Sequence, residues 1–349
     1  MIKRTLQFIL SKLADDDLIE PVNYEDGEYL NQEEISKSYS LASSVFGEGN
    51  VILIGGAALQ NYYPLHKPKD IDPIEKKPVL HAFPNANILS ISTVGCNFAC
   101  QYCQNWDISQ RRKVSGERLS PEEIVDIAIR NNCKGIAYTY NEPTIFLEFA
   151  LDIGLLARKK GLFNIFVTNG YETKETVNVL SEFLDFATVD FKGNGNDDFY
   201  KRYISVNGAK PIFETIKNML DKGIHVELTD LVIPSIGDKI EDAEYMINRV
   251  KDIGGDKIPI SFLRFHPDYK LMNLPETPIK TLDRHYQLAK ELGIKYVYIG
   301  NVSGDRRQNT YCPNCKKLLV KRDLMQTLEV KITADSKCMY CGYNIPFIS

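Results

Sequence analysis

From residue 87 to residue 302 the chain alternates between two textures. Short β-branched or aromatic runs predict strands at 88–93, 135–140, 164–168, 186–191, 226–233, 260–265 and 296–299. Longer segments with apolar residues at helical spacing lie between them. One opens on Ser120, Pro121, Glu122 and Glu123, which predicts a capped start: an N-cap hydroxyl, proline in the first turn and a carboxylate three residues on. Another runs from about 144 to 160, with Gly161 placed to end it. Alternation of this kind means parallel strands joined by right-handed crossovers, which both a (β/α) barrel and an open doubly wound sheet satisfy.

The residues after each strand favour the barrel. Cys96, Asn141 with Glu142, Thr168 with Asn169, Asp190 with Lys192, Pro234 with Ser235, His266 and Asn301 recur at the same strand end. A (β/α) barrel carries its active site on that face. Loops there are polar in any protein and N-caps favour Asn, Asp and Ser, but neither fact accounts for Glu142 before Pro143 or for Lys192. The expected fold is therefore a partial TIM-type barrel of six to seven strands at 86–303. It is preceded by an N-terminal extension of unassigned role at 1–85 and followed by a small four-cysteine ribbon at 304–349. Within the extension, 51–59 reads as one buried element, and five prolines between 64 and 84 read as an extended lead-in.

The chain of 349 residues has a formal net charge of −4, which argues against a protein that works mainly by blanket phosphate neutralisation. No apolar run approaches the ~20 residues of a membrane helix, and Met1 to Leu10 lacks a secretory pattern, so a cytoplasmic protein with no membrane partner is expected. From residue 305 onward eight Lys/Arg face four acids and large apolar residues are few. Such a segment needs a staple.

Seven of the eight cysteines fall into two tight groups, a distribution that favours metal over disulfides; Cys133 reads as an inert thiol. Cys312 with Cys315 and Cys338 with Cys341 form two knuckles separated by 22 residues. Four thiolates make the closed tetrahedral shell of structural zinc; a disulfide pair or a rubredoxin-like iron site are the alternatives. Cys96, Cys100 and Cys103 form a three-thiolate nest directly after a strand, with no adjacent fourth ligand. A 4Fe–4S cluster held by three cysteines leaves one iron open to the amine and carboxylate of a small molecule.

The CxxxCxxC spacing, with Tyr102 before the third cysteine, resembles the radical S-adenosylmethionine superfamily. Tyr140-Asn141-Glu142-Pro143 resembles its Gly-Gly-Glu-Pro element. Thr168-Asn169-Gly170 and Asp190-Phe191-Lys192 are similar to elements of pyruvate formate-lyase activating enzymes. Runs around Asp72 to Pro78, Cys103 to Trp106, Phe265 to Tyr269 and Tyr298 to Val302, with the terminal knuckles, resemble the AmmeMemoRadiSam subgroup. Val167 stands where activating enzymes carry an aspartate.

The resemblance implies that Cys96, Cys100 and Cys103 ligate the cluster. It implies that Glu142, beside Asn141, receives the ammonium of S-adenosylmethionine, and that Lys192 meets its carboxylate. Tyr102 would pack on the adenine or beneath the loop. Thr168 and Asn169 would bond ribose or methionine, Asp190 would position Lys192 or join a cation site, and His266 would lie near the ribose. An external one-electron donor of ferredoxin or flavodoxin type is implied, and a protein substrate is suggested by the activating enzymes. Arg111, Arg112 and Lys113 would face that donor or an anionic substrate. Two other readings stay open: an RNA-modifying enzyme gripping with Arg306, Arg307, Lys321 and Arg322, and a non-catalytic iron–sulfur or zinc sensor or scaffold.

Overall fold

The computed structural model describes residues 63–65, 70–110 and 116–348. The expected element at 51–59 and the basic run Arg111, Arg112 and Lys113 lie outside them. Strands β1 (Tyr63–Leu65), β2 (Asp70–Pro73) and β3 (Asn87–Ile91) open the described chain, and β4 (Glu117–Leu119) pairs antiparallel with β1. Then follow α1 (Pro121–Arg130), β5 (Gly135–Tyr138), α2 (Leu147–Lys159), β6 (Phe163–Thr168), α3 (Lys174–Leu180), β7 (Phe186–Lys192), α4 (Lys210–Asp221), β8 (His225–Val232), α5 (Ile240–Gly254), β9 (Ile260–Arg264), α6 (Ile279–Glu291) and β10 (Val297–Gly300).

Eight strands form one sheet in the order β10-β9-β8-β7-β6-β5-β3-β2. All neighbours are parallel except β2, which runs antiparallel on β3 with Asp70 opposite Ser90. From β5 to β10 every strand lies beside its predecessor in the chain, without the reversal of order that marks a doubly wound sheet. That succession is the one a (β/α) barrel uses. Among the described residues β2 and β10 do not pair, so the sheet remains open.

Local chemistry explains the element ends. Ser120 accepts from the amide of Glu123 while the Glu123 carboxylate accepts from the amide of Ser120, a complete capping box before Pro121. Gly161 ends α2 with φ +76°, in the left-handed region where a side chain is strained. The expected helix from 144 begins instead as a 3-10 turn, Pro143–Phe146, and becomes α-helical at Leu147. The Glu142 carboxylate caps the amide of Thr144 and Pro143 follows immediately, which tightens that turn.

One face of the sheet packs on the helices through residues such as Ile136, Phe166, Val189, Phe213 and Ile247. The other meets the lead-in before β3: Ile74, Val79 and Ala82 cluster with Ile88, Ala137, Ile165 and Phe186. Polar links fix that contact. Glu227 on β8 accepts from the amides of Leu80 and His81 at 2.9 and 2.8 Å, and Thr188 on β7 donates to the carbonyl of Lys77 at 2.7 Å. The lead-in is therefore part of the core.

The C-terminal ribbon contains β11 (Thr310–Tyr311), β12 (Leu318–Asp323) and β13 (Gln326–Val330), all antiparallel. Its apolar residues Leu319, Val320, Ile345 and Phe347 pack with Tyr296 and Tyr298 at the β10 edge. Arg322 is buried there, donating to the carbonyls of Leu80 and Gln308 and to the Thr310 hydroxyl. Arg307 is held by Asp305 and Asp283. Of the four residues considered for an RNA grip, Arg322 is thus buried and Arg307 is half-buried in ion pairs within the protein.

No helix among the described residues is long and apolar enough to cross a membrane.

Candidate active site

The loop after β3 carries Cys96, Cys100 and Cys103, and two anchors hold it down. The amides of Ala99 and Gln101 donate to the carbonyls of Ile204 and Tyr203. Asn141 clamps its start from the next loop, donating at 2.8 Å to the carbonyls of both Thr93 and Gly95. The sulfur of Cys96 accepts from the amide of Phe98, and that of Cys103 lies 3.1 Å from the Ser109 hydroxyl. Burial pushes the Cys100 thiol up to about 12, against the pull of the Lys192 ammonium; burial also pushes up Cys96, whose neighbours Cys100 and Glu142 add to the effect. Burial thus favours the neutral thiols, which a bound metal centre would convert to thiolates.

Glu142 follows β5 and is 2% exposed. Its carboxylate accepts from the amides of Thr144 and Asn169 at 3.0 and 2.7 Å, and lies 2.7 Å from the Thr144 hydroxyl and 3.0 Å from that of Thr168. Burial raises its pKa while these donors pull it back. Asn169 carries the link onward, donating at 2.7 Å to the side-chain oxygen of Asn97 beside Cys96. Glu142, the loop after β6 and the cluster loop are therefore joined by two hydrogen-bonded steps.

Tyr140, where the resemblance has a glycine, takes the left-handed conformation at φ +70°. A tyrosine there costs on the order of 1–3 kcal/mol unless its surroundings hold it. They do: its hydroxyl bonds Asp70 and Asp72, its ring lies 4.6 Å from the Lys77 ammonium, and its carbonyl accepts from Asn105 of the cluster loop.

Near the nest, Lys192 at the end of β7 pairs with Asp190 at 3.1 Å, and Asp190 also accepts from the Thr229 hydroxyl. Burial works to lower the Lys192 pKa, but Asp190 and the nearby Cys100 and Cys103 win and raise it. Tyr102 is buried, its ring 5.9 Å from Phe199 and 6.5 Å from Phe265, which is the packing position beneath the loop. The Thr168 hydroxyl is engaged with carboxylates of the protein itself. His266 is exposed on the loop after β9, with no hydrogen bond among the described residues. Cys133 is buried in the helix-side core, away from these groups.

Sequence reasoning passed over Glu172, a buried carboxyl that shares the hydroxyls of Thr144 and Thr168 with Glu142. An acid four residues beyond Thr168, on the polar strand end, was the available signal.

The ribbon cysteines form a different object. The ligand atoms of Cys312, Cys315, Cys338 and Cys341 lie within 4.8 Å of one another. Cys312 to Cys341 and Cys315 to Cys338 are each 3.7 Å. A tetrahedron with metal–sulfur bonds of about 2.3 Å has edges of about 3.8 Å, so these thiols fit one tetrahedral ion. No other group of three or more such ligands is gathered that closely among the described residues. The cluster nest is thus no single-ion cage, and sulfurs that bind separate irons of one cluster need wider spacing.

The family model of the radical SAM superfamily matches residues 90–250. An uncharacterized protein of Methanocaldococcus jannaschii is 45% identical over 281 residues, covering 80% of this chain and 83% of that one. The pyruvate formate-lyase-activating enzyme of Clostridium pasteurianum is 24% identical over 217 residues, 57% of this chain and 88% of its own. The structure of Streptococcus suis SuiB bound to S-adenosylmethionine shares the fold at a TM-score of 0.50 and 11% identity, covering 85% of this chain and 61% of SuiB. With three cysteines spaced for a cluster on the loop after β3 and polar strand ends around them, the chain carries a domain of the radical S-adenosylmethionine superfamily and is homologous to a pyruvate formate-lyase-activating enzyme.

Proposed function

We propose that this protein is a radical enzyme of the activating-enzyme type, acting on a polypeptide. When bound, a 4Fe–4S cluster and S-adenosylmethionine supply one-electron cleavage to methionine and a 5′-deoxyadenosyl radical, which abstracts a hydrogen atom from substrate.

The chain's own residues would divide the work as follows. Cys96, Cys100 and Cys103 would hold the cluster. Glu142 holds the ammonium of the cofactor from one side, fixed in orientation by Thr144, Thr168 and Asn169. Lys192 meets the cofactor's carboxylate from the other side, steered by Asp190. Tyr102 supports the loop from below, and Asn141 keeps the loop's entry closed against the β5 end. His266, exposed on its loop, would meet the ribose. The ribbon at 304–349 serves as a zinc-stapled cover on the edge of the 86–303 unit. An external ferredoxin- or flavodoxin-type donor supplies the electron.

One observation carries the reading: an anion (Glu142), linked through Asn169 and Asn97 to the Cys96 end, and a cation (Lys192), near enough to Cys100 and Cys103 to act on their thiols, both adjoin the three-cysteine nest and suit the ammonium and carboxylate of one amino acid. The polypeptide substrate is supported by the likeness to an activating enzyme. The test is anaerobic reconstitution with iron and sulfide, then reduction with S-adenosylmethionine present. Formation of 5′-deoxyadenosine is expected; its absence from a protein with a full cluster would leave a sensor or scaffold.

A further inference from the structure

Glu142 and Glu172 face each other across two hydroxyl groups, and the arrangement can be settled by counting protons. The Thr168 Oγ1 lies 3.0 and 3.1 Å from the two Glu142 oxygens and closer still to Glu172 Oε1, and it accepts from the amide of Gly170 at 3.0 Å. The Thr144 Oγ1 lies 2.7 Å from Glu142 Oε1 and 3.3 Å from Glu172 Oε1. Each hydroxyl has one proton to give. Glu142 also receives two backbone amides, whereas Glu172 has, besides the shared hydroxyls, only its own backbone amide nearby, and its Oε2 is buried without a partner.

Were both groups ionised, two negative charges would be buried side by side, competing for the same two hydroxyl protons, and one Glu172 oxygen would have no donor at all. That is a costly state. With the proton on Glu172 the contacts close: Glu172 Oε1 donates to Thr168, Thr168 donates to Glu142, and Thr144 donates to Glu142. Oε2 is then a neutral carbonyl oxygen, for which lacking a partner costs far less.

We infer that Glu172 is a positioning residue held as a neutral carboxylic acid, which through Thr168 keeps the neighbouring Glu142 ionised and fixed in orientation for a primary ammonium ligand. Burial and the charge of Glu142 push the Glu172 carboxyl well above the usual carboxylate range, in keeping with this assignment. The pair then carries a single negative charge, the complement of one ammonium group. The inference rests on the proposed role of Glu142 and extends it to a residue outside the motif.

Affinity of the cluster-reconstituted protein for S-adenosylmethionine, measured calorimetrically without reductant, tests it. Glu142→Gln removes the charge and should weaken binding about 100-fold or more. Glu172→Gln keeps a neutral donor and should stay within about threefold of the parent. Glu172→Ala removes the donor and should cost about tenfold. Infrared spectra should show a carboxylic-acid carbonyl band at neutral pH that disappears in Glu172→Gln, a change that a merely structural role would not produce. If Glu172→Gln loses binding as severely as Glu142→Gln, or the band is absent, Glu172 is a second anion and the inference is overturned. If Glu142→Gln binds normally, the reading of Glu142 itself fails. A Glu172→Ala variant that does not fold leaves the glutamine variant and the infrared band to decide.

Discussion

The two cysteine groups lie in one chain and obey opposite rules. In the ribbon, four sulfurs sit within 4.8 Å of one another, enough to close a tetrahedral shell around one ion. In the loop after β3, three sulfurs are spread over a segment anchored by Ile204, Tyr203 and Asn141, with no fourth cysteine. A complete shell has no open position and holds structure; an incomplete one leaves a site for a ligand. Their surroundings differ to match. Around the loop stand Glu142, buried, and Lys192 and Asp190, half-buried and paired with each other; threonine hydroxyls bond both carboxylates. Around the ribbon, the charged side chains are exposed or, like Arg322, tie it to the lead-in and β10.

The sharpest way to break this contrast is Cys100→Ala. It should abolish cluster absorption and 5′-deoxyadenosine formation while leaving one tightly bound metal equivalent per chain, read by elemental analysis. Cys312→Ala should do the reverse: that equivalent is lost and the melting midpoint falls by roughly 5–10 °C, with the cluster spectrum unchanged. Loss of cluster absorption in Cys312→Ala would show that the two sites are not separable.

A smaller effect is expected in alkylation of the metal-free protein followed by peptide mapping. Hydrogen bonds from Asn314 and from the backbone at Tyr343 lower the exposed Cys341 thiol to about 6, whereas burial holds Cys100 near 12. Only the thiolate reacts. Labelling at Cys341 should therefore be fast and level by pH 7, while labelling at Cys100 should still be rising at pH 10. Equal rates at neutral pH would contradict the contrast. The smallest effect concerns neither site: Ser120→Ala should cost about 1 kcal/mol in denaturant unfolding by removing the α1 cap, without altering metal content.

Much of this molecule is legible in its order of residues. The seven expected strands begin and end within two residues of β3 and β5 to β10, because each is an apolar run bounded by turn chemistry. The cluster nest and the knuckles were visible as spacing. The strand β2 was not, since four residues ending in proline and pairing antiparallel at a sheet edge leave no periodic signal. Tyr140 shows another limit. Its sequence departs from glycine, yet the left-handed turn survives because Asp70, Asp72 and Asn105 hold it from elements distant in the chain.

What the sequence by itself determined is local: the strand–helix alternation, the caps at Ser120 and Gly161, and the two cysteine spacings, all set by interactions within a few residues. What only the tertiary structure decided is which distant groups meet. The lead-in lies along the sheet through Glu227 and Thr188, the ribbon docks on Tyr296 and Tyr298, and Glu172 comes to share two hydroxyls with Glu142. Such meetings depend on the order of strands in the sheet, which brings the loops after β5 and β6 side by side, and no window along the chain contains that information.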